Sequence, residues 1–354
     1  MANRRQFLAG LLATGLAPVP TWADAGNPAY LSAARLPDGR YVLTGLDREG
    51  VERFRIPLPD RGHAAAAHPT QPIAVAFARR PGRFALVLDC RDGAVLAQLH
   101  SPEGRHFYGH GSFDASGDYL FTTENDYDAG EGRIGVWDAA KGYARIGEFA
   151  SGGVGPHDIK LLPDGGFVVA NGGIDTHPDS GRLKLNLSTM QPNLAYLSAT
   201  GALLENVAPA HHHASTRHLA VRADGLVAVG MQWQGDVASA PALVALHRRG
   251  APLQMLGDAS ALDGYVGSIA FSGDGAQVAI TSPRGGTLEV FDATSGALVQ
   301  RLAEADICGV AAADHGLLAT TGLGHVIRAD TATQTLQSAS LAYDNHLVAI
   351  APRG

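Results

Sequence analysis

Five histidines occupy the same position in successive copies of one repeated unit. They are His63, His110, His157, His218 and His346, and each begins a short apolar run typical of a β-strand. The chain has 15 histidines among 354 residues, so chance would rarely place five of them at one phase of a repeat. Imidazole is the most common protein ligand of zinc, copper, iron and nickel at neutral pH. The pattern therefore predicts that these side chains hold a transition metal (iron, copper or zinc) or a haem.

The repeat that carries the histidines predicts an all-β fold. Two copies follow one another between Phe107 and Gly173, and each reads strand, Gly/Asp turn, strand, polar loop and strand. Their histidines are 47 residues apart (157 − 110), a period typical of a propeller blade. Six units and one incomplete N-terminal unit predict a seven-bladed β-propeller of WD40/YVTN-like type, in which the C-terminal strand 345–350 completes the first blade and closes the ring. We expect one propeller domain over residues 26–354.

The innermost strands of a propeller line its central channel, so the histidines are expected to ring the channel mouth. Because a seven-bladed mouth is wide, one ion with bonds of about 2.0 to 2.2 Å is not expected to reach all five. The two remaining innermost strands carry Gly267 and Cys308 at this position. A structural interpretation stays open, since Gly62-His63 and Gly109-His110 resemble the Gly-His pairs of WD-type propellers, whose histidine is hydrogen-bonded inside its own blade.

The loops between second and third strands are expected to form a polar bowl on the same face. The loop 172–193 is much longer than its counterparts, and a long loop at one place of a repeat is often functional. A separate run, His211 to His213, is more typical of adventitious metal binding on a surface loop. The bowl supplies candidates for ligand binding that are carboxylates, amides or bases: Glu124, Asn125, Asp126, Asn171, His177, Lys184 and Asn186.

Composition argues against several classes of function. The net charge is −7 and the chain has no basic stripe, so nucleic acid is not an expected partner. No phosphate-binding loop, nucleophile elbow or CxxCH haem-attachment motif is present. Cys90 and Cys308 lie in apolar runs, which predicts buried thiols rather than a disulfide framework. We expect a monomer.

The N-terminus has the features of an export signal. Arg4 and Arg5 precede an apolar run over residues 7–17, which is too short to cross a bilayer, and Ala23-Asp24-Ala25 offers small residues before a cleavage site. These features predict a twin-arginine signal peptide over residues 1–25. The mature protein would begin near Gly26 in the periplasm, without a membrane span.

The chain also resembles a family of twin-arginine-exported propellers known only as a domain of unknown function. The resemblance is carried by segments that include Phe107-Tyr108-Gly109-His110-Gly111, Gly155-Pro156-His157, Arg217-His218-Leu219-Ala220 and Asp344-Asn345-His346. It adds Arg217 and Asn345 to the ligand-binding candidates. Members of this family are commonly encoded beside imelysin-type and di-haem peroxidase-like proteins of iron uptake. The resemblance therefore implies export, this fold and iron-uptake partners, but no reaction.

Three functions are compatible with these observations. The first is a periplasmic binding or accessory protein of iron or other transition-metal acquisition, with the histidines as its ligand site. The second is an enzyme of the propeller lactonase or quinoprotein kind, in which Glu124 or Asp126 acts as base and a histidine as acid on a small organic substrate. The third is a platform for protein interaction.

Overall fold

The chain forms seven sheets, each an antiparallel meander. The computed structural model describes residues 18–79, 84–181, 183–314, 316–329 and 334–350. The Gly/Asp signals lie at the turns, as at Asp164 and Gly165, where Gly165 has a φ of +83° and the Asp164 carboxylate accepts a hydrogen bond from the Gly166 N–H (3.1 Å). Turn chemistry thus sets the length of each strand.

The strands follow the chain in groups of three or four, one group to a blade. The first blade contains β1 (Tyr30–Arg35), β2 (Tyr41–Leu46) and β3 (Glu52–Leu58). The second contains β4 (Gly62–Ala67), β5 (Ile73–Ala78), β6 (Ala85–Asp89) and β7 (Val95–Leu99). The third contains β8 (Arg105–Phe113), β9 (Tyr119–Asp126), β10 (Glu131–Asp138) and β11 (Ala144–Ala150), and the fourth β12 (Pro156–Leu161), β13 (Phe167–Asn171), β14 (Asn193–Leu197) and β15 (Leu203–Val207).

The remaining three blades repeat this plan. The fifth contains β16 (Ala214–Val221), β17 (Val227–Trp233), β18 (Val244–His247) and β19 (Gln254–Leu256). The sixth contains β20 (Ser268–Phe271), β21 (Gln277–Ser282), β22 (Thr287–Asp292) and β23 (Leu298–Ala303). The seventh contains β24 (Ile307–Ala312), β25 (Leu317–Thr321), β26 (His325–Ala329) and β27 (Gln334–Ser338).

The C-terminus closes the ring, as predicted. Two short strands, β28 (Ala342–Tyr343) and β29 (Val348–Ala349), both pair antiparallel with β1. The single strand expected over 345–350 is instead interrupted, because residues 344–347 leave the sheet between these two pairings. The prediction of a seven-bladed propeller is confirmed, and the interruption frees His346 from the regular pairing.

Burial follows from the way blades stack. Middle strands lie between two neighbouring blades, so both faces are covered and the strands are continuous apolar runs; every residue of β13 is buried. Outermost strands have one covered face, and β15 and β23 carry exposed residues. The apolar clusters therefore lie mostly between adjacent blades, as where Phe121 of β9 meets Phe167 of β13 at 4.4 Å between ring centres.

The N-terminal segment is described from residue 18 onward. The twin-arginine motif and the apolar run fall on residues 1–17 and lie outside the described residues. A 3₁₀ helix, Trp22–Ala25, follows; Trp22 is 1% exposed, and its indole N–H donates to the His68 carbonyl (3.0 Å). The other 3₁₀ helices of the described chain are Ala139–Lys141, Pro178–Ser180 and Val237–Ser239. None of the helices in the described residues is long and apolar enough to span a membrane.

Candidate metal centre

The ring histidines lie where the pairing of an innermost strand is interrupted. His346 falls in the gap between β28 and β29. A β-bulge turns side chains out of the normal alternation of a strand, which allows the five imidazoles to point to the axis. The other four ring histidines, His63, His110, His157 and His218, each lie in or beside a register shift of their strand. In the same order, these shifts fall between Gly62 and Ala65, Phe107 and Gly111, Pro156 and Asp158, and Thr216 and His218.

Buried hydroxyl groups satisfy carbonyls at these interruptions. Thr123 Oγ1 of β9 donates to the His110 carbonyl (3.1 Å), and Ser32 Oγ of β1 donates to the His346 carbonyl (2.9 Å). Because a buried carbonyl without a partner is costly, these hydroxyls stabilise the irregular backbone that the histidines require. The site is thus built into the strands and does not depend on a loop.

The five imidazoles form a closed ring in which each contacts the next. The distances between ring centres are 4.9 Å for His63–His110, 4.8 Å for His110–His157, 4.9 Å for His157–His218, 4.9 Å for His218–His346 and 4.7 Å for His346–His63. The rings lie close together, but the ligand atoms within 4.8 Å of one another belong to groups of three histidines. That one ion does not reach all five therefore stays a prediction. The spacing leaves no room for a porphyrin between the rings, whereas a haem that spans the channel mouth stays a prediction.

The ring histidines are suited to binding a cation in their neutral form. Burial lowers the pKa of His63, His157, His218 and His346 well below the usual value, and neighbouring imidazoles and charged side chains contribute. These four are neutral at pH 7, so each has one ring nitrogen with a free lone pair.

Several of the ring nitrogens lack a protein partner. Among the described residues, no hydrogen bond reaches Nδ1 of His63, Nε2 of His346 or either ring nitrogen of His218. Buried polar atoms in proteins are almost always satisfied, and exceptions mark a functional site or a bound ion. These atoms fit a transition-metal ion, for which neutral imidazole is a preferred ligand.

Two groups of three histidines have ligand atoms within 4.8 Å of one another. One is His63, His110 and His346, and the other is His110, His157 and His218. A tetrahedral ion with bonds of about 2.0 to 2.1 Å holds its nitrogens about 3.3 Å apart. The Nε2 atoms of His63 and His110 are 3.2 Å apart, which matches that geometry. His110 belongs to both groups and is therefore the central ligand of the candidate centre.

Asp158 orients the central histidine. It is buried, and its Oδ1 lies 3.2 Å from Nδ1 of His110. Burial alone would raise the pKa of Asp158, but Lys160 and His110 hold it far below its usual range, so the carboxylate stays charged. Lys160 Nζ (3.0 Å) and the Leu219 N–H (3.0 Å) also donate to it. A carboxylate that accepts Nδ1–H fixes the tautomer and directs Nε2 of His110 into the ring.

The expected polar bowl is only partly formed. Residues 124–126 were placed in a loop by their acidity, but they belong to β9. Glu124 is fully buried inside the third blade, where Thr122 Oγ1 (2.8 Å) and Arg145 Nη1 (2.6 Å) donate to its Oε1. Asp126 pairs with Arg105 (3.1 Å). Both carboxylates form ion pairs inside their own blade, and Oε2 of Glu124 meets no hydrogen-bond partner among the described residues.

The asparagines predicted to bind a ligand instead form hydrogen bonds with other residues of the chain. Asn125 donates to the Thr176 carbonyl (3.0 Å), and Asn186 accepts from the Asp175 N–H (2.7 Å), so both fasten the long loop. Asn171 is fully buried and donates to the Asn193 side chain (2.9 Å). His177, in the same long loop, lies with its ring centre 4.9 Å from that of Tyr127. None of these contacts brings a side chain to the histidine ring.

Arg217 and Asn345 do lie at the ring. Arg217 Nη1 is 3.5 Å from Nδ1 of His157, and Asn345 donates to the hydroxyl of Tyr265 (2.8 Å). The Tyr265 ring centre is 6.4 Å from that of His218. Lys184 reaches Gln234 across the long loop, with Nζ 2.5 Å from Oε1. Arg217, Asn345 and Tyr265 thus lie beside the ring, and the end of the propeller channel on their side is called the opening.

The remaining clusters are separate from the ring. His211 and His213 lie against Trp233, with ring centres 6.1 and 5.8 Å away, and the His211 to His213 run forms no metal-binding group within the described part of the chain. Cys90 and Cys308 are free and buried, as the sequence predicts. Burial raises the pKa of the Cys90 thiol to about 12, so it stays protonated.

These features define a class of protein, a seven-bladed propeller with a buried histidine ring on its axis. The chain belongs to the family of proteins of unknown function DUF1513, whose profile matches residues 56–350. The sequence-based resemblance is confirmed to that extent. No curated protein matches the chain.

Solved structures share the architecture at low sequence identity. Hydrazine synthase of Kuenenia stuttgartiensis is 14% identical, with a TM-score of 0.61 over 92% of this chain and 99% of that one. The Cps50 (Swd1) β-propeller domain of Myceliophteria thermophila is 12% identical, with a TM-score of 0.60 over 83% and 90%. A chain of the mitotic checkpoint complex is 11% identical, with a TM-score of 0.57 over 77% and 78%. At these identities the similarity concerns the fold alone.

Proposed function

We propose that this protein is a binding or accessory protein that holds a transition-metal ion on the axis of its propeller and serves the acquisition of iron or another transition metal. The observation that carries the proposal is the ring of five imidazoles, four of them buried and that of His157 half-buried, in which several nitrogens lack a protein partner among the described residues. The charged Asp158 beneath His110 compensates part of the charge that an ion would bring.

The ring of imidazoles suits a metal ion that the protein carries as cargo. Neutral imidazole ligands bind without displacing protons at pH 7, and they bind iron, copper and zinc alike. His110, His157 and His218 would supply one set of nitrogens, and His63, His110 and His346 the other. The chain's own contribution is to hold these side chains in place, exclude water from them and, through the lowered pKa of His63, His157, His218 and His346, keep those four unprotonated.

The proposal is tested by metal uptake of the purified, untagged protein. We expect metal-free protein to take up Zn(II), Cu(II) or Fe(II) in a fixed ratio, measured by elemental analysis after gel filtration. His110→Leu removes the shared ligand at similar volume and is expected to weaken uptake by more than about 100-fold, since loss of an orienting partner alone costs 10- to 100-fold.

A matched control is available in His68. It is also buried, but its Nδ1 accepts from the backbone N–H groups of Thr70 and Gln71 and it lies outside the ring. His68→Gln should bind metal like the unmodified protein. Uptake that is equal in His110→Leu and the unmodified protein, with both folded by circular dichroism, contradicts the proposal.

The proposal includes a location and partners. The twin-arginine signal features support export of the folded protein to the periplasm, and the family resemblance supports imelysin-like and di-haem peroxidase-like partners. Export is tested by cell fractionation, where replacement of Arg4 and Arg5 by Lys should retain the protein in the cytoplasm. The alternative of acid–base catalysis gains no support from Glu124 and Asp126, which are engaged in ion pairs within their blade.

A further inference from the structure

Positively charged side chains surround the opening above the histidine ring. Arg217 precedes His218 in β16, and its Nη1 lies 3.5 Å from Nδ1 of His157. The guanidinium carbon of Arg284 lies 5.2 Å from the centre of the Tyr265 ring, which is 6.4 Å from the His218 ring. Two arginines therefore stand close to the candidate metal centre, one of them in direct contact with it.

A lysine of the long loop joins these arginines. Burial lowers the pKa of Lys184, and the nearby charges of Arg217 and Arg284 lower it further. Geometry places the three cations in one region, because Lys184 donates to Gln234 and the neighbouring Gln232 pairs with Tyr265, over whose ring Arg284 lies. Lys184 and Arg284 form no ion pair with a carboxylate among the described residues, although Lys184 donates to the Gln234 side chain.

Two further arginines stand on the side of His63. Arg61 Nε and Arg79 Nη1 pair with the same carboxylate, that of Asp344, at 2.6 and 2.9 Å. Their charges also contribute to the lowered pKa of His63, after the larger effect of burial. Asp306 is the next carboxylate near this group. Five cations thus lie around the opening with the carboxylates of Asp344 and Asp306, while Asp158 beneath the ring is paired with Lys160.

This charge is opposite to that of the whole chain, which carries a net charge of −7. Like charges gathered near a water-poor site repel one another, and a bound anion relieves the repulsion. A hydrated metal cation would meet the same repulsion on its way to the histidines. An anion, or a metal ion that travels with an anion, would be attracted instead.

We infer that this opening binds a small multivalent oxyanion, either an oligocarboxylate or a phosphate, which enters with the metal ion as its co-ligand. Arg217 is placed to bind one oxyanion group through its planar guanidinium, and Lys184 with Arg284 to bind a second. The co-ligand part of this inference rests on the proposed function, whereas anion binding by the opening does not require a metal.

The inference is tested by calorimetric titration of the metal-free and the zinc-loaded protein. One arm uses tricarballylate, the analogue of citrate that lacks its metal-binding hydroxyl, and the other uses pyrophosphate with the metal-free protein. We expect saturable binding in at least one arm, which also identifies the oxyanion, and tighter binding of tricarballylate when zinc is present. Arg217→Gln should weaken binding about ten-fold, the equivalent of one charge-assisted hydrogen bond.

Variants of two exposed residues keep the inference testable if Arg217→Gln does not fold. Lys184→Gln and Arg284→Gln change side chains on the surface and should each weaken binding about three-fold, as expected for partly exposed charges. Arg40→Gln removes an exposed arginine that pairs with Asp38 in a turn of the first blade, and it should bind like the unmodified protein. Equal weakening in Arg40→Gln would show a non-specific charge effect and overturn the inference.

The outcomes separate this inference from the proposed function. Zinc uptake without binding of either anion, in either form of the protein, overturns the anion site and leaves the metal site standing. Anion binding without uptake of zinc, copper or iron supports the anion site, while it overturns both the co-ligand role and the metal proposal.

Discussion

Replacing His218 by Leu should make the metal-free protein more stable. His218 is 2% exposed, and neither of its ring nitrogens meets a hydrogen-bond partner among the described residues. The ring nitrogens therefore lost their water without gaining a hydrogen bond among the described residues. Leu has a similar volume and no polar atom to leave unsatisfied.

The magnitude follows from two opposing effects. Each unsatisfied polar atom costs about 1 to 3 kcal/mol, and two such atoms are removed by the substitution. The change of shape costs up to about 1.5 kcal/mol. The free energy of unfolding should therefore rise by about 2 kcal/mol in metal-free buffer. Saturating zinc should stabilise the unmodified protein more than the variant, because the variant loses the group of His110, His157 and His218 and keeps only that of His63, His110 and His346.

The assay is urea unfolding at pH 7.5 with a chelator, followed by tryptophan fluorescence. His247→Leu is the matched control with the opposite expected sign. His247 is equally buried, but its Nε2–H donates to the Ala251 carbonyl (2.7 Å) and its Nδ1 accepts from the Tyr196 hydroxyl (2.6 Å). This variant should lose about 2 to 4 kcal/mol, since it leaves both partners unsatisfied. A loss of more than about 1 kcal/mol in His218→Leu would refute the reasoning.

Three further predictions concern the orientation of the central histidine, pH and the N-terminus. Asp158→Asn should lower metal affinity about 10- to 100-fold, because a neutral amide no longer fixes the tautomer of His110; an unchanged dissociation constant by competition with a chromogenic chelator would contradict this role. The four ring histidines with lowered pKa stay neutral in the fold but gain protons when unfolded below about pH 6.5, so stability is complete above that pH and is lost as the pH falls. The metal-free protein should lose roughly 5 kcal/mol between pH 7.5 and 5.5, about 1.4 kcal/mol for each histidine, and a change below about 1 kcal/mol in urea unfolding would show that these groups are solvated. A chain beginning at Gly26 lacks the buried Trp22 and should be about 3 to 5 kcal/mol less stable than one beginning at Pro18, and equal melting curves would show that the indole contributes nothing.

The fold was predictable because local and global signals agree. Gly/Asp turns recur between apolar runs, and the stacking of blades requires those runs in the middle strands. The closing strand was placed correctly, but its interruption at residues 344–347 was not expected. Loss of pairing over four residues is decided by contacts with other blades, such as that of Ser32 with the His346 carbonyl, and a local sequence pattern does not contain them.

The histidine phase was predictable, whereas the contact between the imidazoles was not. The recurrence of one residue type showed which side chains share a level of the propeller, but the bulges that turn them inward depend on pairing with the second strand. Glu124 was misplaced because polar residues at a strand end resemble a loop. A signal existed for Asp158, a carboxylate directly after a ring histidine in an innermost strand, since a charge at such a place needs buried partners.

The closing segment has a consequence for how the chain resists unfolding. His346 comes from the C-terminal end of the ring and His63 from the second blade, 283 residues earlier (346 − 63), and their ring centres are 4.7 Å apart. An ion bound by both would act as a cross-link across nearly the whole chain. A covalent link that closes a loop of this length removes conformational entropy worth on the order of 5 kcal/mol from the unfolded chain. Binding of the ion would therefore hold the C-terminal segment in the first blade and oppose unfolding of the ring of blades. Release of the ion would begin with detachment of the C-terminal residues from β1.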